Sequence, residues 1–310
     1  MKFLELIGQE PAIGLIKNSI ARNRLAHAYL FAGPDGVGKK TCAQIMARTL
    51  NCMAGEAEPC DACRSCTKEF HPDIHLIKPK GASLRIEQIR ELQNSVAYKP
   101  YEGKWKIYIL EDADKLTEAA ANSLLKTLEE PPPVTVFILI TSKIEKALST
   151  IRSRCQQINF SPIGEEKILG FLERHYPDAE IEMRELASTL AEGSIGRAAS
   201  FLEDEDAFGR VEEIREIYRI IGQDDLAPFT IAEKWKERKE ELGDFFQILT
   251  LLYRQSLWQN IEGTKEKLAS INSALVAIGK TEAALARNAN VQLALEQLLL
   301  TLAKEREENA

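Results

Sequence analysis

The segment from Gly33 to Thr41 reads GPDGVGKKT and has the Gly-x4-Gly-Lys spacing of a phosphate-binding P-loop. Glycines allow backbone N–H groups to turn towards phosphate oxygens, and the start of a following helix adds positive potential. In such a loop Lys39 would reach the β- and γ-phosphates of a nucleotide. The alternative is a glycine-rich turn without a ligand, but a buried strand before and a helix after favour the phosphate site.

Lys40 departs from this pattern. A P-loop usually carries Ser or Thr at this position, and its hydroxyl coordinates Mg²⁺. An ammonium group cannot coordinate a cation, and it adds positive charge near the metal position. Thr41 lies one residue later, about 100° around a helix, so we do not expect it to substitute. The segment is therefore compatible with ATP binding but disfavours Mg²⁺-assisted hydrolysis.

Glu111 and Asp112 form a second candidate site at the end of the apolar run KIYIL. P-loop ATPases commonly place an Asp here to hold Mg²⁺, and then a Glu to polarise the attacking water. The order is reversed in this chain, so one carboxylate is a methylene too long and the other a methylene too short. Errors of about 1 Å can cost roughly a hundredfold in rate. The alternative is a solvated acidic turn.

Four cysteines with the spacing C-x7-C-x2-C-x2-C predict a metal site: Cys52, Cys60, Cys63 and Cys66. Thiolates two residues apart can share one tetrahedral ion, and four of them form a closed structural zinc site without an open position for catalysis. The alternative is a loop of reduced thiols. His71 could replace one cysteine, whereas His75 falls in a predicted strand and is expected to be structural.

The elements that would position these residues alternate between strands and helices. Four runs rich in β-branched and aromatic residues, at 28–32, 74–79, 105–112 and 135–141, are apolar on both faces, as buried parallel strands are. A weaker fifth run lies at 156–160. Helical patterns separate the runs, so we predict a doubly wound α/β domain with a parallel sheet.

The strand signal ends near residue 161, and the rest of the chain reads as helical. We expect a P-loop α/β domain over 1–161 with the zinc module at about 52–66, a helical lid over 162–207 and an all-α domain over 208–310. Gly193 is the expected C-cap of the second lid helix. The segment 290–303 is apolar nearly all round, so it should be buried among helices or in an oligomer interface.

The composition narrows the class of protein. The chain has 310 residues, of which 45% are hydrophobic and 28% charged, as in soluble globular proteins. Its net charge of −7 argues against a generally basic nucleic-acid binder, although a local basic patch is still compatible. It shows neither a secretory signal pattern nor an apolar run of about 18 residues. We therefore expect a cytoplasmic protein whose cysteines do not form a disulfide framework.

Longer segments resemble the clamp-loader branch of the AAA+ ATPases. They are LAHAYLFAGPDGVGKKT, the cysteine module, IEQIRELQNSVAYKPYEGKWKIYILEDADKLTEAAANSLLKTLEEPP, STIRSRCQQINF and EGSIGRAASFLE. The resemblance runs from residue 1 to about 205, and more loosely to the C-terminal NANVQLALEQLLL; the segments LLKTLEEPP and SRC are specific to clamp loaders. It implies an AAA+ domain, a small helical lid and an all-α collar.

The resemblance also implies roles for individual residues. The nucleotide-binding residues would be Gly33, Gly36, Gly38, Lys39, Lys40, Thr41, Thr141 and Arg197. Among these, Thr141 matches the position that senses the γ-phosphate, and Arg197 matches the lid arginine. Leu6 to Glu10 match a segment beside the adenine base. Arg154, in SRC, matches the arginine finger that acts on a neighbouring subunit's ATP, and Glu111 with Asp112 matches the acidic pair. For both arginines the alternative is an ordinary surface position.

Three functions follow from these observations. The first is a stator subunit of the DNA polymerase III clamp loader, with weak or absent ATPase activity. The second is the ATP-hydrolysing motor (gamma/tau) subunit, which pairs the P-loop lysine with a hydroxyl residue and keeps the Asp-Glu order. The third is an unrelated zinc-bearing P-loop enzyme, such as a small-molecule kinase. Lys40 and the reversed acidic pair favour the stator.

The resemblance to a stator also implies partners. They would be the gamma/tau and delta subunits in a hetero-pentamer, the sliding clamp and, through the complex, primer–template DNA. Polymerase chemistry would belong to the larger assembly.

Overall fold

The structure, a computed structural model, describes residues 2–55, 57–68, 70–259 and 264–307. These residues form two compact units, Met1–Ser200 and Phe201–Ala310. The predicted lid at 162–207 begins inside the first unit, together with the sheet, and the three-domain division remains a prediction. Across the described residues, no helix is both long enough and apolar enough to span a membrane.

A five-stranded parallel sheet forms the centre of the first unit. Its strands are β1 (Ala28–Ala32), β2 (Ile74–Ile77), β3 (Lys106–Leu110), β4 (Thr135–Thr141) and β5 (Gln156–Asn159). They are arranged in the order β2-β3-β4-β1-β5. The predicted parallel α/β sheet is confirmed. β1, β3 and β4 are fully buried, but β2 is only half-buried because it lies at the edge and pairs on one side.

Nine α-helices cover the sheet or follow it in the described chain up to Glu203, and the last of them runs three residues past the end of the first unit. They are α1 (Glu10–Ala21), α2 (Lys39–Leu50), α3 (Arg64–Thr67), α4 (Ile86–Val96), α5 (Glu118–Glu129), α6 (Ser149–Arg152), α7 (Glu165–His175), α8 (Ile181–Leu190) and α9 (Ile195–Glu203). Pro11 at the start of α1 suits a position that needs no N–H donor. Thr117 caps α5, since its hydroxyl oxygen accepts a hydrogen bond from the Ala120 N–H. One apolar cluster joins α4 and α5 to β1, β3 and β4.

Gly193 lies between α8 and α9 in a left-handed conformation, with φ of +88°. The expected C-cap at this glycine is wrong by two residues, because α8 ends at Leu190 and Ala191 is its C-cap. A Cβ at this position would lie 2.5 Å from the Cβ of Pro162. The Gly193 carbonyl also accepts a hydrogen bond from the Ile163 N–H at 2.8 Å. This close contact holds the end of α8 against the segment that leaves β5.

Asp73, at the start of β2, anchors the loop that leads into β3. Its buried carboxylate accepts hydrogen bonds from the N–H groups of Tyr101, Glu102 and Gly103 at 2.6, 2.9 and 2.7 Å. Burial tends to raise the pKa of Asp73, but the three hydrogen bonds outweigh it and hold that pKa below its usual value. The loop conformation therefore depends on an ionised buried group.

The second unit is helical. Its elements are α10 (Ala207–Ile220), α11 (Ala227–Trp235), α12 (Leu242–Gln259), α13 (Lys265–Leu285) and α14 (Val291–Glu307). Trp235 is fully buried, and the Arg238 guanidinium lies 4.0 Å from the centre of its ring. Four leucines of α14 are buried, but Leu293 is 65% exposed. The expectation that this segment is buried among helices thus holds for one face, and the other face is open within this unit.

We predict that Asp73→Asn lowers the free energy of unfolding by about 2–3 kcal/mol at neutral pH, because the variant loses charge-assisted hydrogen bonds to three N–H groups. Since the native pKa of Asp73 lies below the unfolded value of about 3.9, this contribution is complete above that pH. It should disappear as the pH falls through the native pKa. Urea unfolding followed by circular dichroism at several pH values measures it.

Asp178→Asn, at an exposed position, is the matched control and should leave the free energy of unfolding unchanged. A difference between wild type and Asp73→Asn that stays constant down to pH 2 would contradict an ionised anchor.

Candidate functional site

The segment 33–41 adopts a P-loop conformation between β1 and α2. Gly33, Gly36 and Gly38 have φ values of +154°, +71° and +96°, which residues other than glycine rarely adopt. Lys39 is buried, and its Nζ donates hydrogen bonds to the carbonyls of Gly33, at 2.6 Å, and Pro34. Burial lowers the pKa of Lys39. In this structure the Lys39 side chain therefore lies along the P-loop, where it would contact a bound phosphate.

A cavity of about 560 Å³ lies over this loop, a volume that suits a nucleotide-sized ligand. Its wall includes the P-loop residues 35–41, the segment Glu5 to Ile7, the acidic pair Glu111 and Asp112, and lid residues Phe171, His175, Ile195 and Gly196. Leu6, predicted to lie beside a base, is therefore part of the wall. Phe171 and His175 stack with ring centres 4.1 Å apart. The sequence analysis did not identify this aromatic pair.

Lys40 and Glu111 form an ion pair in the cavity wall, with the Lys40 Nζ 2.9 Å from the Glu111 Oε1. The adjacent Glu111 carboxylate raises the pKa of Lys40, so the ammonium is retained. Mg²⁺ requires near-octahedral oxygen ligands at about 2.0–2.1 Å. Here one of the two usual ligand positions carries an ammonium, and the carboxylate at the other is paired with it. The residues at these positions therefore do not fit Mg²⁺.

Asp112 and Thr141 are each engaged by other side chains. Asp112 has a φ of +52°, and its carboxylate lies 2.9 Å from the Lys115 Nζ. Thr141 is buried at the end of β4, and its hydroxyl donates to Asp114 Oδ1 at 2.7 Å. Asp114 is a neighbour that the sequence analysis missed, although the acidic spacing EDAD is visible in the chain. Thr141 is therefore held by an acidic partner and does not line the cavity.

The lid contacts the P-loop directly. The Gly196 N–H donates to the Gly36 carbonyl at 3.0 Å, and a Cβ at Gly36 would lie only 2.1 Å from the Ser194 hydroxyl oxygen. Two glycines thus allow the backbone of α9 to approach the loop closely. The sequence analysis did not identify this contact, because it depends on how the lid packs.

The two arginines predicted from the resemblance lie outside the residues that line the cavity. Arg197 follows Gly196 on α9, and its guanidinium pairs with Glu192 at 3.0 Å. Arg154 follows α6; it donates to the Thr150 carbonyl at 2.9 Å and pairs with Glu129 at the end of α5. About a third of the Arg154 side chain is exposed, so a partner could contact it.

The four predicted cysteines come together and could hold a metal ion. The Sγ atoms of Cys52, Cys60, Cys63 and Cys66 all lie within 4.8 Å of one another. The Met53 N–H donates to the Cys63 thiol and is the main cause that lowers the pKa of Cys63 to about 6. His71 is not part of this group, and its Nδ1 accepts a hydrogen bond from the Asp73 N–H instead.

Comparison with known proteins identifies the family. The family model described as DNA polymerase III, delta subunit, matches residues 8–164. DNA polymerase III subunit delta′ of Bacillus subtilis is 34% identical, with 95% of this chain and 96% of that one covered. The chain belongs to the delta-prime family of DNA polymerase III subunits. The predicted identification as a clamp-loader subunit is thereby confirmed.

A relative named as a tau/gamma subunit matches a smaller part of this chain in sequence than the delta′ relative does. The tau/gamma subunit of Haemophilus influenzae is 38% identical over 67% of this chain and 31% of its own length. A crystal structure of a gamma-subunit-related protein from Thermotoga maritima has a TM-score of 0.52 at 19% identity, covers 96% of this chain and 99% of its own, and supports the fold alone. The nearly full-length sequence match to delta′ therefore favours delta′ over tau/gamma for this chain.

Gly36→Ala should separate the lid from the P-loop. The added methyl group would meet the Ser194 hydroxyl oxygen, and the left-handed conformation would cost about 1–3 kcal/mol. We expect faster amide hydrogen exchange over residues 193–197 and a lower melting temperature, measured by hydrogen-exchange mass spectrometry and calorimetry.

Gly14→Ala is the control, because that glycine lies in α1 with nothing within 4 Å of the added Cβ. It should keep the same exchange rates and raise stability by up to about 1 kcal/mol. Unchanged exchange at 193–197 in Gly36→Ala would show that the contact does not hold the lid.

Proposed function

We propose that this chain is the stator of a DNA polymerase III clamp loader, which helps to load the sliding clamp onto primed DNA. Its own P-loop would hydrolyse ATP weakly or not at all. The ion pair between Lys40 and Glu111 is the observation that carries this proposal, since a motor subunit needs Mg²⁺ at that position. The AAA+ shape would then serve assembly and a neighbouring site.

The proposed partners are the gamma/tau and delta subunits in a hetero-pentamer, the sliding clamp and, through the complex, primer–template DNA. The setting would be the cytoplasm. Residues 208–310 would form the collar that holds the ring together. Two exposed apolar side chains support this assignment, Leu293 on α14 and Trp258 near the end of α12, because such positions suit contacts with other subunits.

Arg154 is the proposed arginine finger. Its side chain lies outside the cavity of its own chain, is about one-third exposed and is oriented by hydrogen bonds to Thr150 and Glu129. A guanidinium supplied to a neighbour's γ-phosphate stabilises charge that develops in the transition state. This chain would therefore contribute to catalysis at a site that it does not contain.

The four-cysteine group is the proposed structural zinc site. Four sulfur ligands at the usual Zn–S distance of about 2.3 Å lie roughly 3.8 Å apart in a tetrahedron. Sγ atoms within 4.8 Å of one another need only a small contraction to reach this geometry. Thiolate ligands select zinc over Mg²⁺ or Ca²⁺. Four protein ligands leave no open position, so the ion would stabilise the 52–66 module and take no part in catalysis.

We predict about one zinc ion per chain by elemental analysis, and none in the double variant Cys63→Ser with Cys66→Ser. Because a structural ion contributes directly to folding, hydrogen exchange over 52–68 should become fast in this variant. Cys155→Ser, which changes a thiol outside the group, should keep both the zinc and the slow exchange. Metal-free wild-type protein with slow exchange in this module would contradict the zinc site.

Arg154→Ala should leave the chain folded and assembled but lower DNA-stimulated ATP turnover and clamp loading by the reconstituted complex. A supplied arginine finger is worth roughly 10³–10⁵-fold at the site that depends on it. The whole complex should lose less, because its other sites do not depend on this residue. Steady-state ATPase and clamp-loading assays of the complex measure the effect.

Arg152→Ala is the matched control, since that exposed arginine ends α6 two residues earlier. It should retain most of the activity. Full activity of the complex with Arg154→Ala would remove the catalytic role in trans and leave this chain a role in assembly alone.

A further inference from the structure

The ion pair between Lys40 and Glu111 joins the two positions that share Mg²⁺ in a metal-dependent P-loop. In such a site a hydroxyl on the helix and a carboxylate at the strand end both point at the ion. Here the helix carries an ammonium, and its nitrogen lies 2.9 Å from the carboxylate oxygen. The Lys40 ammonium thus lies beside the Glu111 carboxylate, where Mg²⁺ would contact both positions in a metal-dependent P-loop.

The charges around the cavity explain why this cation matters. Glu111 is only 19% exposed, and Asp112 is a second carboxylate in the same wall. Without a nearby cation these groups would repel an incoming polyphosphate. Lys39 offers one positive charge, and Lys40 adds a second that neutralises Glu111. The wall can therefore accept an anion without a metal ion.

Lys40 also has donors left for a ligand. An ammonium carries three N–H donors, and the only carboxylate that the ion pair occupies is that of Glu111. Its side chain is 43% exposed and lines the cavity next to the P-loop. Phosphate oxygens that approach the backbone N–H groups of residues 36–41 would come within reach of this ammonium.

We propose that Lys40 acts as a built-in counter-cation, so that this P-loop binds the polyphosphate of a nucleoside di- or triphosphate without Mg²⁺. The ligand would then remain bound without hydrolysis and stabilise the contact between lid and P-loop. The inference rests on the proposed function only in taking this cavity as a nucleotide site; it does not depend on Arg154.

Calorimetric titration of ATP and of ADP into the full chain tests the proposal, once with excess Mg²⁺ and once with excess EDTA. Wild type should bind at least one of the two with dissociation constants that agree within about twofold in the two buffers. Lys40→Met keeps the length of the side chain but removes the charge, and should weaken binding in EDTA by about tenfold or more.

Lys40→Thr restores the usual hydroxyl and should bind at least tenfold more tightly in Mg²⁺ than in EDTA. Lys126→Met, on the exposed face of α5, is the control for loss of one positive charge and should bind as wild type does. Circular dichroism verifies that each variant is folded, so a loss of affinity can be assigned to the site.

Three results would overturn the proposal: wild type that loses tenfold or more in affinity on chelation, Lys40→Met that binds as tightly as wild type in EDTA, or wild type that binds neither nucleotide in either buffer. None of them bears on the role of Arg154, which is measured in the assembled complex. Conversely, full activity of the complex with Arg154→Ala would leave the titration results unaffected.

Discussion

Parallel pairing of β4 with both β1 and β3 is the constraint on which the site depends. It places the carboxyl ends of three buried strands side by side along the carboxyl edge of the sheet. The P-loop follows β1 there, Glu111 follows β3, and Thr141 is the last residue of β4. Ligands of open α/β sheets bind at this edge. A one-residue slip in register would move every side chain of a strand to the opposite face and disrupt the packing on both sides, so packing of the core also sets the relative positions of the polar groups.

The carboxylates and lysines at this edge are arranged differently from those of a metal-dependent ATPase. Metal-dependent sites hold carboxylates apart from lysines so that a divalent ion can bind between oxygen ligands. In this chain Lys40 is ion-paired with Glu111, and Lys115 with Asp112. Both carboxylates of the reversed acidic pair thus have a lysine beside them. In the proposed role, the subunit would keep the shape of an ATPase while catalysis occurs at a neighbour.

Much of the architecture could be predicted because its signals are local. Runs of β-branched residues indicate the strands, the glycine spacing indicates the P-loop, and the cysteine spacing indicates the four-cysteine group. The burial of β2 was not predicted correctly, since its run was interpreted, like that of β1, as a strand buried on both faces. Only the sheet order shows that β2 lies at an edge. Burial of a strand depends on its neighbours, which composition does not specify.

The sequence by itself determined which chemical groups are available: a P-loop with a lysine in place of a hydroxyl, a reversed acidic pair, four thiols and an arginine in SRC. Only the tertiary structure decided which groups meet. It pairs Lys40 with Glu111, Arg154 with Glu129, and the backbone of Gly36 with that of Gly196. These contacts join segments far apart in the chain, and their distances depend on how helices pack on the sheet. Local patterns therefore identify the reactive groups, whereas packing determines their partners.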